Sequence, residues 1–359
     1  MSRRGLQLGW WSVVVLGMSV NAACINYRPP PTPVADALAG DPPERVWRLH
    51  AGRGISAPVS VEGGRAYAAG ADRKVYAIDL DSGRVAWNRR LSGAALGGVL
   101  SHDSTLFVAT ARPEGRVFAL DKATGRQRWR ASVGEVGAPL AWAGGLVLAA
   151  TRRGDLVALD AARGRPRWRK RLGSIRSAPV LADSGTVVVA TVDSLFRVSI
   201  ANGHVTHRRA LPGSTLRGWL PLGEALAAVT TDSTVIGIRR DDLTSLWEAH
   251  ADAPLFGAPA LRGDTMYVVS RIGTLYRIPP GAPEGMSVVT RLRWPVTSGV
   301  SVVDGHLVIG GADGILRALD GEGREVWRVA LWRPIDVDPL PLDDGFLAVG
   351  GNGDFHRYR

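Results

Sequence analysis

Cysteine is almost missing from this chain. Cys24 stands alone among 359 residues, so no intramolecular disulfide can form and no cysteine-based zinc site can be assembled. Lysine is nearly missing too: only Lys74, Lys122 and Lys170 stand among 44 Lys+Arg residues. No acidic residue precedes Asp36, and no stretch after Val20 is apolar for 18 residues, which leaves no later membrane-spanning segment. There is no His-Glu-x-x-His pair for a metal and no Gly-x-Ser-x-Gly elbow for a nucleophile. Asp336, Asp338, Asp343 and Asp344 lack the glycine and glutamate frame of a calcium loop. Glycine clusters at 321–323 and 350–353 precede no helical pattern, so they are hairpin turns rather than phosphate loops. What is present is turn-forming residue: 44 Gly and 22 Pro, too many for a helical bundle. A 45% apolar fraction supports a packed core. The net charge is +11, but the basic blocks are short and scattered. That pattern is an arginine-rich background, and no nucleic-acid partner is expected.

The first 23 residues read as a secretion signal. Arg3 and Arg4 precede the apolar segment Leu6–Val20, and Ala22-Ala23-Cys24 follows. Asn21-Ala22-Ala23-Cys24 resembles the lipobox of bacterial lipoproteins, with Asn21 where that pattern prefers Leu. Cys24 is therefore the expected lipid attachment site. Cleavage after Ala22, giving a soluble periplasmic or secreted protein, is the competing reading. Residues 24–43, with Pro29-Pro30-Pro31, Pro33 and Pro42-Pro43, form an extended tether.

From residue 44 to 359 the chain repeats itself. Asp79-x-x-x-Gly83-x-x-x-Trp87, Asp121-x-x-x-Gly125-x-x-x-Trp129 and Asp160-x-x-x-Gly164-x-x-x-Trp168 share one pattern, and Asp320 reaches Trp327 with one residue fewer. Trp47, Trp87, Trp129, Trp168, His207 in the same slot, Trp247, Trp294 and Trp327 follow at a mean spacing of 40 residues. Such a period marks a propeller or solenoid. Each unit divides into four short strands. The first opens on small residues with a proline, as in Ser56-Ala57-Pro58-Val59 and Gly257-Ala258-Pro259-Ala260, which suits an edge strand crowded at a central axis. The second and third are apolar. The Asp and Gly then make a turn, and the fourth carries a tryptophan large enough to fill the gap to the next blade. After Trp327 three strands remain without a fourth, while Glu44–Leu49 is a strand without a blade. Joining them closes an all-β, eight-bladed β-propeller and leaves no open edge between first and last blade. The fourth and fifth units are degenerate, with Ser199 and His207, then Arg239 and Leu243, replacing the motif residues. The sixth carries the insertion Pro279–Gly285.

The Ala-x-Asp-x-x-x-Gly-x-x-x-Trp repeat resembles the tryptophan-docking motif of PQQ-like, quinoprotein-type propellers. Two families share it. Quinoprotein alcohol dehydrogenases need a vicinal cysteine pair and calcium ligands that this chain lacks. The BamB family of outer-membrane assembly factors shares the signal, the tether and eight blades. That second resemblance implies a non-catalytic envelope scaffold without metal or cofactor, monomeric, anchored to the outer membrane and facing the periplasm. It further implies a barrel-insertase (BamA-like) partner met by a Leu-Arg loop and an Asp-x-Asp loop. Leu216-Arg217 and Asp336-Val337-Asp338 match by residue type, in units that are not consecutive. A generic ligand- or protein-binding propeller is the alternative, and a quinone-dependent dehydrogenase a more distant one.

The signal makes a direct prediction. Mass spectrometry of the mature protein should find a diacylglyceryl or triacyl modification on an N-terminal Cys24. An unmodified terminus at Ala23, on protein recovered from the soluble fraction, would show ordinary cleavage.

Overall fold

The computed structural model describes residues 40–95, 97–111, 115–211, 216–279, 285–335 and 337–359. The expected signal, Cys24 and nearly all of the tether lie outside them. Among the described residues, thirty-two strands pair into eight four-stranded antiparallel sheets. Blade 1 is Ile55–Glu62, Arg65–Gly70, Lys74–Asp79 and Val85–Arg90, and blades 2 to 7 follow in chain order. Blade 8 takes Leu340–Leu342, Gly345–Val349 and Asp354–Tyr358 from the end of the chain and Arg45–His50 from its beginning. Trp47 pairs with Arg357 and Leu49 with Phe355. The Glu44 N–H donates to the Arg359 carbonyl at 3.0 Å, and the Arg359 N–H donates back at 2.9 Å. No helix among the described residues is long and apolar enough to cross a membrane.

The second and third strands of each blade are buried along nearly their whole length. Both faces of the sheet meet a neighbouring blade there, which is why their sequences run apolar instead of alternating. The core is accordingly shared between blades. Val75 and Ala77 of blade 1 cluster with Leu106, Val108, Phe118 and Leu120 of blade 2, and each later interface repeats the arrangement.

In blades 1 and 6 the proline-bearing small-residue segments prove to be bulges on the first strands, and the first strands touch one another around the axis. In blade 1, Ser56 pairs with Ala69 and Ser60 with Tyr67, so four steps on one strand oppose two on the other. Blades 6 and 7 bulge identically, between Phe256 and Ala260 and between Val296 and Val300. Proline is tolerated there because bulged residues leave the ladder, so a missing N–H costs nothing. In these blades this replaces the expectation that proline begins an ordinary edge strand, whereas in blade 4 Pro179 directly precedes the edge strand Val180–Leu181. Crowding at the axis is severe. A Cβ on Gly98 of blade 2 would lie 2.3 Å from the Pro58 nitrogen of blade 1, and one on Gly218 would lie 2.6 Å from Ala258.

The tryptophans work between blades. Trp47, Trp87, Trp129 and Trp168 donate their Nε1–H to the carbonyls of Leu80, Lys122, Ala161 and Ile200 in the next blade, at 2.6, 3.1, 2.8 and 2.7 Å. Their rings lie on Gly83, Gly125, Gly164 and Gly203, where an added Cβ would sit within 2.7 Å of the indole. These glycines hold φ near +70°, a conformation and an absence of side chain that only glycine offers cheaply. Asp79, Asp121, Asp160 and Asp320 each accept a backbone N–H from the turn leading to that glycine position, at 2.8 to 3.0 Å.

Elsewhere the docking departs from the repeat. Trp327 stacks on Phe346 at 5.6 Å, because the turn it would meet in blade 8 is replaced by the chain ends. Trp247 lies over Gly237 of its own blade, and the segment it would meet in blade 6, 280–284, is outside the described residues. Trp294 is not a docking residue: it follows the fourth strand of blade 6 (Ser287–Arg291) and lies under the Arg317 guanidinium at 4.1 Å. Thr290 and Val289 cover Gly323 instead. Between blades 4 and 5 the partners have exchanged sizes. His207 is exposed in the tryptophan slot, whereas Leu243 is fully buried in the glycine slot at φ 63°. The frame is otherwise kept. Arg209 donates to the Leu243 carbonyl at 3.1 Å, as Arg89 does to that of Gly125 at 3.5 Å. Leu243 fills the volume an indole would occupy and accepts left-handed strain of about 1 kcal/mol to do so.

This exchange predicts a strong double-mutant coupling. Leu243→Gly alone should open a cavity and cost about 2–4 kcal/mol, and His207→Trp alone should clash with Leu243. The double variant should recover to within about 1 kcal/mol of wild type in urea unfolding. Simple additivity of the two losses would refute the exchange.

Candidate protein-binding face

In an up-down-up-down blade, the turn between second and third strands shares one end with the connection from the fourth strand to the next blade. One face of the ring is therefore built from those two kinds of loop. Leu216 and Arg217 begin the first strand of blade 5 (Leu216–Leu222) at this face. Only their backbone is described. Asp338 lies in the connection entering blade 8, on the same face. Asp336 is outside the described residues.

Blades 5 and 8 are not adjacent, yet their inner segments are joined by a short chain of contacts. Gly218 abuts Ala258 in blade 6, and neighbouring Gly257 abuts Gly299 in blade 7. The Asp338 carboxylate closes the series. Its Oδ1 accepts the Gly299 N–H at 2.6 Å, and its Oδ2 would lie 3.3 Å from a Cβ on Gly257. Only glycine at 257 and 299 lets the carboxylate reach this far. The surrounding packing pushes the Asp338 pKa up, because burial disfavours its charged form more than the single Gly299 bond favours it.

Two apolar side chains stand out on the same face. Trp332, in the connection from blade 7 to blade 8, is 75% exposed and holds φ 64°. Ile272, in the second-to-third turn of blade 6, is 62% exposed. A large exposed aromatic held in a strained backbone is the type of residue that anchors protein interfaces. Sequence reasoning passed over Trp332. The signal was its position, five residues after Trp327 and out of step with the repeat. The opposite face carries an open cleft of about 550 Å³ between blades 3 and 4, lined by Gly145, Leu146, Asp160, Arg167 and Gly185. Arg167 bonds Asp160 at 2.8 Å and holds that carboxylate below its usual pKa, so the cleft offers a satisfied ion pair.

Among the described residues, no three His, Cys, Asp or Glu side chains gather as a metal site would. With Cys24 as the lone cysteine, the chain has no vicinal cysteine pair of the kind quinoprotein dehydrogenases carry. The arrangement is suited to recognition: a rigid ring presenting a deep carboxylate beside exposed apolar residues.

Comparison with known proteins bears on both fold and role. The family model described as "Outer membrane protein assembly factor BamB" matches residues 36–133 and 113–221, together just over half of the chain. A Burkholderia pseudomallei protein described in the same words is 33% identical over 139 residues, or 37% of this chain; the match spans only 35% of that relative. The crystal structure of BamB from Moraxella catarrhalis superposes with a TM-score of 0.73 at 15% identity, covering 88% of this chain and 99% of that one. A quinohemoprotein alcohol dehydrogenase from Pseudomonas putida reaches 0.70 at 13% identity, covering 91% and 77%. At such identities these two structures speak to the fold alone.

The half-buried Asp338 carboxylate predicts a pH-dependent gain. The folded-state pKa of Asp338 lies above its unfolded value, so this residue costs stability as pH rises through that window and at all higher pH. Asp338→Asn keeps an acceptor for Gly299. It should melt at a higher temperature than wild type at pH 7, with the gap closing below about pH 4. A lower melting temperature at pH 7 would show that the charge is stabilising.

Proposed function

The chain belongs to the family of the outer membrane protein assembly factor BamB, and from that membership we propose that it is a non-catalytic envelope scaffold assisting the assembly of outer-membrane β-barrel proteins. It acts by holding protein partners against its ring. The observation that carries this reading is the single face on which Leu216, Arg217, Asp338, Trp332 and Ile272 fall together, with the first two linked to Asp338 through the glycine contacts of blades 6 and 7. The partner is a barrel-insertase of the BamA type. Lipidation at Cys24 would hold the ring at the outer membrane on its periplasmic side, and the proline-rich tether would let it turn toward the partner. The similarity to a quinohemoprotein dehydrogenase is one of fold, and fold does not transmit chemistry.

Affinity capture from crosslinked envelopes tests the proposal. Wild-type protein should recover the barrel-insertase, and Leu216→Ala combined with Arg217→Ala should reduce recovery by tenfold or more if these are central contacts. Recovery of no assembly component, or quinone-dependent substrate oxidation by purified protein, would overturn it.

A further inference from the structure

Arginines that are scattered along the sequence are gathered in space. Every fourth strand lies on the outer wall of the ring, so a basic residue recurring in successive fourth strands builds a two-dimensional array. The array is densest on blades 2 and 3. Residues 134–173, which make blade 3, hold eight Arg and Lys against three Asp and Glu, a net +5 of the chain's +11. On its fourth strand (Pro166–Arg171), Arg167, Arg169 and Arg171 take the exposed alternate positions, about 7 Å apart along the strand. On the fourth strand of blade 2 (Gln127–Ser132), Arg128 and Arg130 take the same positions. Two parallel columns of guanidinium groups result.

The acids that pair with the blade 3 column lie beneath it. Asp155 and Asp160 have side chains only 14% and 15% exposed, whereas Arg169, Arg171 and Arg167 are 49%, 72% and 59% exposed. Asp155 serves two arginines at once, at 3.0 and 3.9 Å. The wall therefore shows cations to solvent and hides its anions. In blade 5 the corresponding strand (Ser245–His250) exposes Glu248 instead, so the basic positions do not run unbroken round the ring.

We propose that this wall docks edge-on against a bilayer surface bearing anionic phospholipid headgroups. The array lies on the outer wall; only Arg167, already paired with Asp160, also lines the open cleft between blades 3 and 4, so the columns themselves enclose no small ligand. It has two columns, where one extended acidic chain would satisfy only one; a lattice of phosphates meets both. Guanidinium groups bind phosphate oxygens in pairs. Edge-on docking leaves both loop faces free, so the proposal is compatible with the protein-binding face without resting on it. Gly40, where the described chain begins, bonds Val326 on blade 7, four blades from blade 3. The wall and the entry of the tether are thus on opposite edges of the ring.

Cosedimentation tests this, using the mature chain from residue 24 with Cys24→Ala, so that neither the apolar segment Leu6–Val20 nor an acyl chain contributes. It should bind phosphatidylcholine vesicles that contain phosphatidylglycerol, should not bind phosphatidylcholine alone, and should be released by raised salt. Arg130→Gln, Arg167→Gln and Arg171→Gln together should weaken binding by roughly a hundredfold. Equal charge removal from the protein-binding face, through Arg53→Gln, Arg293→Gln and Arg333→Gln, should leave it nearly intact. Equal loss in both triple variants, or no binding to anionic vesicles, would overturn the proposal. Capture of soluble polyglutamate without vesicle binding would also overturn it, in favour of an acidic protein partner.

Discussion

An indole laid flat on a glycine of the next blade is the contact on which the ring depends. A four-stranded sheet cannot stand alone with two apolar faces, and its neighbours must be held at one spacing and one angle for the shared cores to fill. The glycine fixes how closely the turn approaches. The Nε1 bond to the following carbonyl fixes where along the turn the ring lands, and the aspartate keeps the turn in shape. Because Trp47 belongs to the strand that completes blade 8 and docks on Leu80 and Gly83 of blade 1, the same contact that joins neighbours also seals the circle.

The remaining interfaces show how far that contact can be varied. Leu243 moves the bulky group to the other side of the interface, Phe346 offers a ring in place of a turn, and Thr290 with Val289 offers aliphatic cover. Each keeps the volume between blades filled. What the ring requires is a constant separation rather than one residue type, so sequence drifts while the circle persists.

Much of this was legible in the residues, and what was not has a common cause. Spacing along the chain is local, so the 40-residue period, the Asp-Gly-Trp frame and the orphan strand could all be read directly. The meaning of His207 and Leu243 could not, because each looks like a loss until its neighbour across the interface is known. Trp294 fell near the expected spacing yet lies outside the docking slot, since the insertion after Ile278 shifts the fourth strand of blade 6. Asp338 gave no hint that two glycines in other blades make room for it. The scattered arginines looked like background because only the ring brings their strands onto one wall.

The pairing of Arg45–His50 with Asp354–Tyr358 has a consequence for when the molecule can exist at all. Arg48 and Asp354, 306 residues apart, form an ion pair across that seam. Synthesis proceeds from the N-terminal side, so the strand Arg45–His50 waits for Asp354–Tyr358, which is made long after it. Until then blade 8 has no outer strand, and Trp47 has no sheet to place it on blade 1. A chain cut short near its end cannot settle into a smaller ring, since its first strand would be left without a partner. The seam thus acts as a test of synthesis, passed only by a chain that holds both of these strands.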